Sequence, residues 1–214
     1  MKTAFAIVAV LCSPVLAPSA HAADLGAGFR VGTYGLSAEF GIGVTPWFGL
    51  RAGASAAEVS DNYEQDDIDY DGTLTLGGYG LMADFFPMKG TFRFTVGVLS
   101  NRNAIDLEAV PTAPVEIGDS TYTPSEVGTL QGDVEFDTNV PYFGIGWGNF
   151  SGKGRVGFIC DIGVVAQGAG EVTLTSTAGL VDPDDLADEV ATIEEDIEDY
   201  ELWPVLSAGI LIRF

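Results

Sequence analysis

The residues best placed to do chemistry in this sequence are isolated charges set between apolar residues. In "LSAEFGIGV" (36–44), Glu39 falls between Ala38 and Phe40, and apolar residues occupy every second position. Successive side chains of a β-strand point to opposite faces, so such a charge lies opposite the apolar face. Eight residues share this pattern: Arg30, Glu39, Arg51, Asp84, Arg93, Arg155, Asp161 and Arg213.

Two interpretations of these charges remain open. In the first, they pair with one another and plug a closed interior, because an unpaired buried charge is costly. In the second, Glu39 and Asp161 form a constriction that selects cations, and the arginines that strand ends place near the periplasmic mouth act as its gate: Arg51, Arg93, Arg155 and Arg213. Glycines on the same face, such as Gly41 and Gly144, either leave room inside or follow tight sheet curvature.

Acidic residues crowd into two further stretches, 61–71 and 182–201. The candidate binding residues there are Asp67, Asp69, Asp71, Asp184, Asp185, Glu194 and Glu195. "DIDYDG" (67–72) starts like a calcium-binding EF-hand loop, but Gly78 stands where the bidentate glutamate belongs, so no EF-hand is predicted. These carboxylates form a solvated surface, or they attract cationic solutes or divalent cations.

Composition excludes several classes of function. The formal net charge is -22, and nucleic-acid binding needs a basic face, so no nucleic-acid partner is expected. The chain has one histidine, His21, and two cysteines, Cys12 and Cys160, too few for most zinc, haem or triad chemistry. We therefore expect no cofactor, no metal centre and no enzymatic activity.

The first 22 residues predict export. Lys2 precedes an apolar run from Ala4 to Leu16, and "AHA" (20–22) is a small-x-small cleavage site, so residues 1–22 are predicted to be a cleavable signal peptide. Residues 23–214 are then a single domain.

Alternation continues through most of that domain. It predicts eight antiparallel strands, separated by short turns that alternate with long acidic loops. The predicted strands are 25–32, 35–45, 48–60, 70–87, 91–109, 130–149, 154–176 and 199–214. Aromatic residues collect at the short turns, as in Trp47-Phe48 and Phe85-Phe86. Apolar outer faces with an aromatic girdle are typical of an outer-membrane transmembrane β-barrel.

One segment departs from the alternation. In "VDPDDLADEVATIEEDIEDY" (181–200), Leu186, Val190, Ile193 and Ile197 recur at helical spacing. A capping Asp182 and a following Pro183 favour a helix start there. The sequence predicts a helix near 183–198 in the last external loop, with its acidic face in water or its apolar stripe over the barrel mouth.

Four segments together resemble the CarO-type small outer-membrane proteins: "GLSAEFGIGVTPWFGLRAG", "DYDGTLTLGGYGLMADFFP", "VPYFGIGWGN" and "YELWPVLSAGILIRF". A more remote resemblance is to OmpW. The CarO resemblance implies an eight-stranded barrel in the outer membrane and a role in uptake of ornithine and other basic amino acids. The alternating last strand, which ends in Phe214, resembles the C-terminal signal of bacterial outer-membrane proteins that the barrel-assembly machinery reads.

Two functions follow from these observations. The first is a narrow channel for passive uptake of small cationic solutes, such as basic amino acids. The alternative is a closed structural or interaction barrel, seated among outer-membrane lipid and lipopolysaccharide, whose acidic external loops bind divalent cations or a surface partner.

Overall fold

A computed structural model describes residues 24–65 and 67–214 of the chain, so the predicted signal peptide lies outside the described residues. The described part is almost entirely β-structure. Its strands are β1 (Asp24–Gly32), β2 (Gly35–Thr45), β3 (Phe48–Gln65), β4 (Ile68–Phe85), β5 (Phe92–Asn101), β6 (Ala104–Pro111), β7 (Val115–Ile117), β8 (Ser120–Tyr122), β9 (Leu130–Glu135), β10 (Asn139–Trp147), β11 (Val156–Ala166), β12 (Glu171–Ser176) and β13 (Leu202–Arg213). Its helices are α1 (Pro124–Val127), α2 (Pro183–Asp196) and a 3₁₀ turn at Glu198–Glu201.

Eight of the strands form a closed antiparallel ring, which confirms the predicted number. The order around the ring is β1, β2, β3, β4, β5, β10, β11 and β13. The last strand closes on the first, with Gly26 opposite Arg213 and Gly32 opposite Ser207. One end of the ring, called here the terminal end, carries Asp24, Phe214 and the turns at 46–47, 86–91 and 148–155.

Three strands that the sequence predicts as continuous are split at the other end of the ring. The predicted strands 91–109, 130–149 and 154–176 each divide into a ring strand and a second strand that leaves the ring. The second strands, β6, β9 and β12, pair in that order beyond the upper half of β4. We call residues 56–76 of the β3–β4 hairpin together with β6, β9 and β12 the extension sheet.

The split occurs along β4, because this strand is long enough to pair with two strands in succession. Its residues 78–85 pair with β5, and its residues 68–75 pair with β6. Gly77 and Gly78, between the two halves, have φ angles of 129° and 156°. A positive φ is readily available only to glycine, so the backbone can bend here where its partner changes.

The predicted helix is confirmed as α2, at residues 183–196. Asp182 accepts a hydrogen bond from the Asp184 backbone N–H at 3.0 Å, which caps the first turn, and Pro183 takes the first helical position. The helix contacts β12 of the extension sheet. No helix among residues 24–65 and 67–214 has the length and apolar character needed to cross a membrane.

The two faces of the ring strands differ sharply. On β5, Phe94, Val96 and Val98 point outward and are about half exposed or more, whereas Arg93 and Thr95 are buried inside. In the extension sheet the relation is reversed: on β6, Asp106 and Glu108 are exposed, and Ile105, Leu107 and Ala109 face the covered side. The apolar face therefore changes sides where the strands leave the ring.

Candidate functional site

Six charged side chains from six ring strands meet in the interior of the ring. They are Arg30 on β1, Glu39 on β2, Arg51 on β3, Asp84 on β4, Arg93 on β5 and Asp161 on β11. The alternation of apolar residues in their own strands predicts that all six lie on the inner face. The structure brings them into one cluster, called here the interior network.

Arg51 contacts every carboxylate of the interior network. Its Nε lies 2.7 Å from Asp84 Oδ2, its Nη1 lies 3.0 Å from Glu39 Oε2, and its Nη2 lies 3.5 Å from Asp161 Oδ1. A planar guanidinium can satisfy several carboxylates at once, and here it links β3 to β2, β4 and β11.

Arg93 and Arg30 complete the pairing. Arg93 Nη2 donates to both oxygens of Asp161, at 2.8 and 2.9 Å, and its Nη1 donates to the Gly148 carbonyl at 2.6 Å. Arg30 Nη2 donates to Glu39 Oε2 at 2.7 Å, and Arg30 Nη1 donates to Asp161. Three positive and three negative groups therefore balance one another.

Five of the six side chains of the interior network are buried. Glu39, Arg51 and Asp84 are each 2% exposed, Asp161 is 1% exposed and Arg93 is fully buried, whereas Arg30 is partly exposed. Buried charges are tolerated only when they are paired, and each of these groups is in an ion pair, although Glu39 Oε1 and the Nε atoms of Arg30 and Arg93 make no hydrogen bond. In this arrangement Glu39 and Asp161 are neutralised by arginine rather than facing an aqueous path.

The long side chain of Arg51 reaches both Glu39 and Asp161, that of Arg93 reaches Asp161, and Asp84 pairs with Arg51. The remaining two predicted inner charges lie elsewhere. Arg155 is exposed in the turn before β11, since that strand starts only at Val156. Arg213 lies at the terminal end and donates to the carbonyls of Asn149 at 2.9 Å and Gly154 at 3.0 Å.

Phe150 closes the terminal end, which sequence reasoning missed. It comes from the turn between β10 and β11 and packs, 4% exposed, with Ile159 and Leu211. A Cβ added at Gly41 would stand 2.2 Å from its ring. The space left by this inner-face glycine is thus filled by an aromatic side chain.

Above the interior network, toward the extension sheet, lies an apolar layer. Its core is Tyr34, Leu99, Val140, Tyr142, Val165 and Val205. A cavity of about 50 Å³ separates parts of this layer from Arg30, Ser37 and Ser207. Tyr142 shares the inner face with Gly144 in "PYFGIGW", a pattern that could have revealed it.

A layer of buried amides follows at the level where the strands split. Asn103 Nδ2 donates to Gln167 Oε1 at 2.6 Å, and Asn103 Oδ1 accepts from the Gly77 backbone N–H at 3.0 Å. Asn101 Oδ1 accepts from the Tyr34 hydroxyl at 2.6 Å. The amides also bond the backbone at this level, since Asn101 Nδ2 donates to the Asp137 carbonyl and Gln167 Nε2 donates to the Tyr200 carbonyl.

The predicted acidic sites are dispersed over the outside. Asp67, Asp69 and Asp71 lie exposed in the turn after β3 and on β4, and Asp184, Asp185, Glu194 and Glu195 lie along α2. No group of three or more His, Cys, Asp or Glu side chains among the described residues is arranged to hold a metal ion. Phe214 is 77% exposed, and its backbone N–H donates to the Leu25 carbonyl at 2.9 Å.

Two of these carboxylates have local partners. The hydroxyl of Tyr122 donates to Asp185 and lowers the pKa of that carboxyl below its ordinary value. Glu194 Oε1 accepts from the Val172 backbone N–H at 3.3 Å. Both contacts fix α2, one to β8 and the other to β12.

The fold is similar to that of two solved structures. The crystal structure of CarO2 from Acinetobacter baumannii is similar over 89% of this chain and 98% of that chain, with a TM-score of 0.60 and 21% sequence identity. This chain has the CarO-type fold. CarO of the same organism is similar over 88% of this chain and 97% of that chain, with a TM-score of 0.58 and 19% identity.

The structural similarity confirms the resemblance drawn from the sequence, at the level of the fold. A CarO-type fold is a β-barrel, in agreement with the closed ring and with its last strand paired to its first. No protein-family profile and no curated protein matches the sequence. The more remote resemblance to OmpW stays a prediction.

Proposed function

We propose that this protein is an integral outer-membrane β-barrel whose lumen is closed by the interior network, and that it acts through its external surface. The observation that carries the membrane location is the reversal of the apolar face. Apolar side chains point outward from the ring and inward in the extension sheet. A ring surrounded by lipid and an extension surrounded by water require opposite faces to be apolar.

The distribution of aromatic residues supports the same location. Trp47, Phe85 and Trp147 are exposed near the turns of the terminal end. Such residues favour the interface between hydrocarbon and water. The terminal end then faces the periplasm, and the extension sheet lies outside the cell, in contact with lipopolysaccharide.

The closed lumen is supported by the layers that fill it. Phe150, the interior network, the tyrosine-containing layer and the amide layer follow one another along the axis, and an eight-stranded barrel has little more room than its own side chains occupy. A closed barrel fits a structural or interaction role.

Planar bilayers test the closed lumen. Refolded mature protein should give no conductance steps in a potassium chloride gradient, while its folding is verified by heat-modifiable migration on a gel. A general porin added afterwards to the same membrane checks that insertion and recording work. Reproducible cation-selective steps from the wild-type protein would contradict the closed lumen.

A narrow channel for small cationic solutes is the second candidate. The cavity of about 50 Å³ beside Arg30 favours it, because it adjoins the carboxylate-bearing layer through which a solute would pass. If this candidate holds, Glu39→Gln combined with Asp161→Asn shifts the reversal potential of the wild-type steps. A shift would make basic amino acids the first solutes to assay.

A further inference from the structure

The external part of the molecule contains a larger cavity than the lumen does. It has a volume of about 440 Å³ and lies between the apolar face of the extension sheet and α2. Its walls include Ile105, Leu107, Val134, Leu174, Ile193 and Ile197. A volume of this size falls within the range of about 300–1,000 Å³ that small-molecule sites occupy.

Contacts near both ends of α2 frame the cavity. Toward its N-terminus, Leu186 packs on a cluster of Ile117, Val127 and Val181, and Tyr122 donates to Asp185. Toward its C-terminus, Glu194 accepts from the backbone of β12. No residue of α2 is fully buried, although Val190, Ile193 and Ile197 continue the apolar stripe.

Gly132 leaves the floor of the cavity open. A Cβ built on Gly132 meets nothing closer than Leu174 Cδ1 at 3.6 Å and the Leu107 carbonyl oxygen at 3.9 Å. These are ordinary contact distances, so a side chain at this position has room to extend into the cavity. Protein interiors are otherwise close-packed, so an apolar gap of this size is a candidate binding site.

The charge of the cavity walls favours a cationic ligand over an anionic one. The charged residues that line the cavity are Glu116 and Glu189, and Glu189 Oε2 accepts from the Gly118 backbone N–H at 3.4 Å. No lysine or arginine occurs in residues 103–152 or 156–212 of the sequence. An anionic guest would meet only negative charge there, whereas a cationic group would be attracted.

We infer that this cavity binds a small hydrophobic amine in its protonated form. The apolar body of the ligand lies between the sheet and Ile193, and its ammonium group lies beside Glu116 and Glu189. The inference goes beyond the proposed function, because binding at this site does not depend on whether the lumen is closed.

A matched series of eight-carbon compounds tests the ligand class. Isothermal titration of the full mature chain in lipid nanodiscs, with empty nanodiscs subtracted, compares octylammonium, octanol and octanoate. We expect octylammonium to bind most tightly and octanoate at least about tenfold more weakly. Hexylammonium should bind about 15-fold more weakly than octylammonium, since each buried methylene contributes a factor of about four. Equal binding of octylammonium and octanoate overturns the inference.

Two sets of variants locate the binding. Gly132→Leu should weaken octylammonium binding, because its side chain extends into the cavity from the sheet, and Thr175→Leu, which places the same side chain on the exposed face of β12, should leave binding unchanged. Ile193→Phe narrows the cavity from the helix side and provides a second variant if Gly132→Leu does not fold. Unchanged binding in folded Gly132→Leu or Ile193→Phe overturns the inference.

Glu116→Gln combined with Glu189→Gln tests the charge. We expect octylammonium to bind about threefold to tenfold more weakly, in line with partly exposed ion pairs, and octanol to bind as before. An unchanged affinity for octylammonium would leave a merely apolar cavity and overturn the assignment of an amine.

Discussion

Arg51 shows how single residues hold the interior of the ring. Its guanidinium lies within 3.5 Å of oxygens from Glu39, Asp84 and Asp161, and the side chain is buried. Removing one partner of a buried ion pair leaves the other charges desolvated and unpaired, which costs more than the net value of the pair itself.

The change Arg51→Met therefore leaves three carboxylates with two arginines. We expect it to lower the free energy of unfolding by about 3–5 kcal/mol. Urea titration of the refolded protein in lipid vesicles, followed by tryptophan fluorescence and gel migration, measures the loss.

Arg155→Met is the matched control, because Arg155 is exposed in the turn before β11. It should change the unfolding free energy by no more than about 0.5 kcal/mol. Equal effects of the two substitutions would show that the interior network contributes nothing to stability.

Charges in the ring interior form ion pairs, whereas the extension sheet contains like charges on neighbouring strands. In register across β6 and β9, Asp106 stands opposite Asp133, a pair of like charges. Partial desolvation within the sheet and the neighbouring carboxylate of Asp133 raise the pKa of Asp106 above its ordinary value. The folded extension therefore binds a proton more readily than the unfolded chain, so its stability falls as the pH rises through this pKa.

The change Asp106→Asn should remove that penalty. At pH 7 we expect the extension sheet to gain about 0.5 kcal/mol, the scale of a cross-strand pair. Below about pH 4, where carboxyls are largely protonated, the gain should vanish. Hydrogen exchange of the β6 and β9 amides at pH 7 and pH 3, corrected for intrinsic rates, measures the gain at pH 7 and its loss at low pH.

Asp119→Asn, the same chemical change in the turn between β7 and β8, controls for loss of net charge. It should leave the exchange of β6 and β9 unaltered at either pH. A gain from Asp106→Asn that persists at pH 3 would rule out carboxyl repulsion as its cause.

The whole molecule consists of two parts that bury their apolar residues against different surroundings. Phe40, midway along β2, points out of the ring and is 62% exposed. Val110, on β6, is 41% exposed on the face that also carries Asp106 and Glu108. If the ring lies in a bilayer and the extension in water, these two positions differ in their tolerance of charge.

We expect Phe40→Lys to destabilise the protein in lipid vesicles by about 2–4 kcal/mol, the cost of a lysine near the middle of the bilayer. Val110→Lys places the same side chain in water among carboxylates and should cost no more than about 0.5 kcal/mol. Urea titrations of both variants in the same vesicles provide the comparison. Similar values for the two substitutions would contradict a membrane position for the ring.

The sequence alone determined the faces of the strands and the helix. Alternation put Glu39, Arg51 and Asp161 on the inner side, and the spacing of Leu186, Val190 and Ile193 predicted α2. Both are properties of a few neighbouring residues, because side-chain direction has a period of two in a strand and 3.6 in a helix.

Only the tertiary structure decided where β5, β10 and β11 leave the ring and which charges pair. Apolar residues lie at even positions in β5, as at Val96 and Val98, and at odd positions in β6, as at Ile105 and Leu107. This change is a local signal of the split, but it does not indicate which strand pairs with which. Partner strands, ion pairs and the cavity under α2 join residues far apart in sequence. A local period contains no information about them, since they depend on how the whole chain closes upon itself.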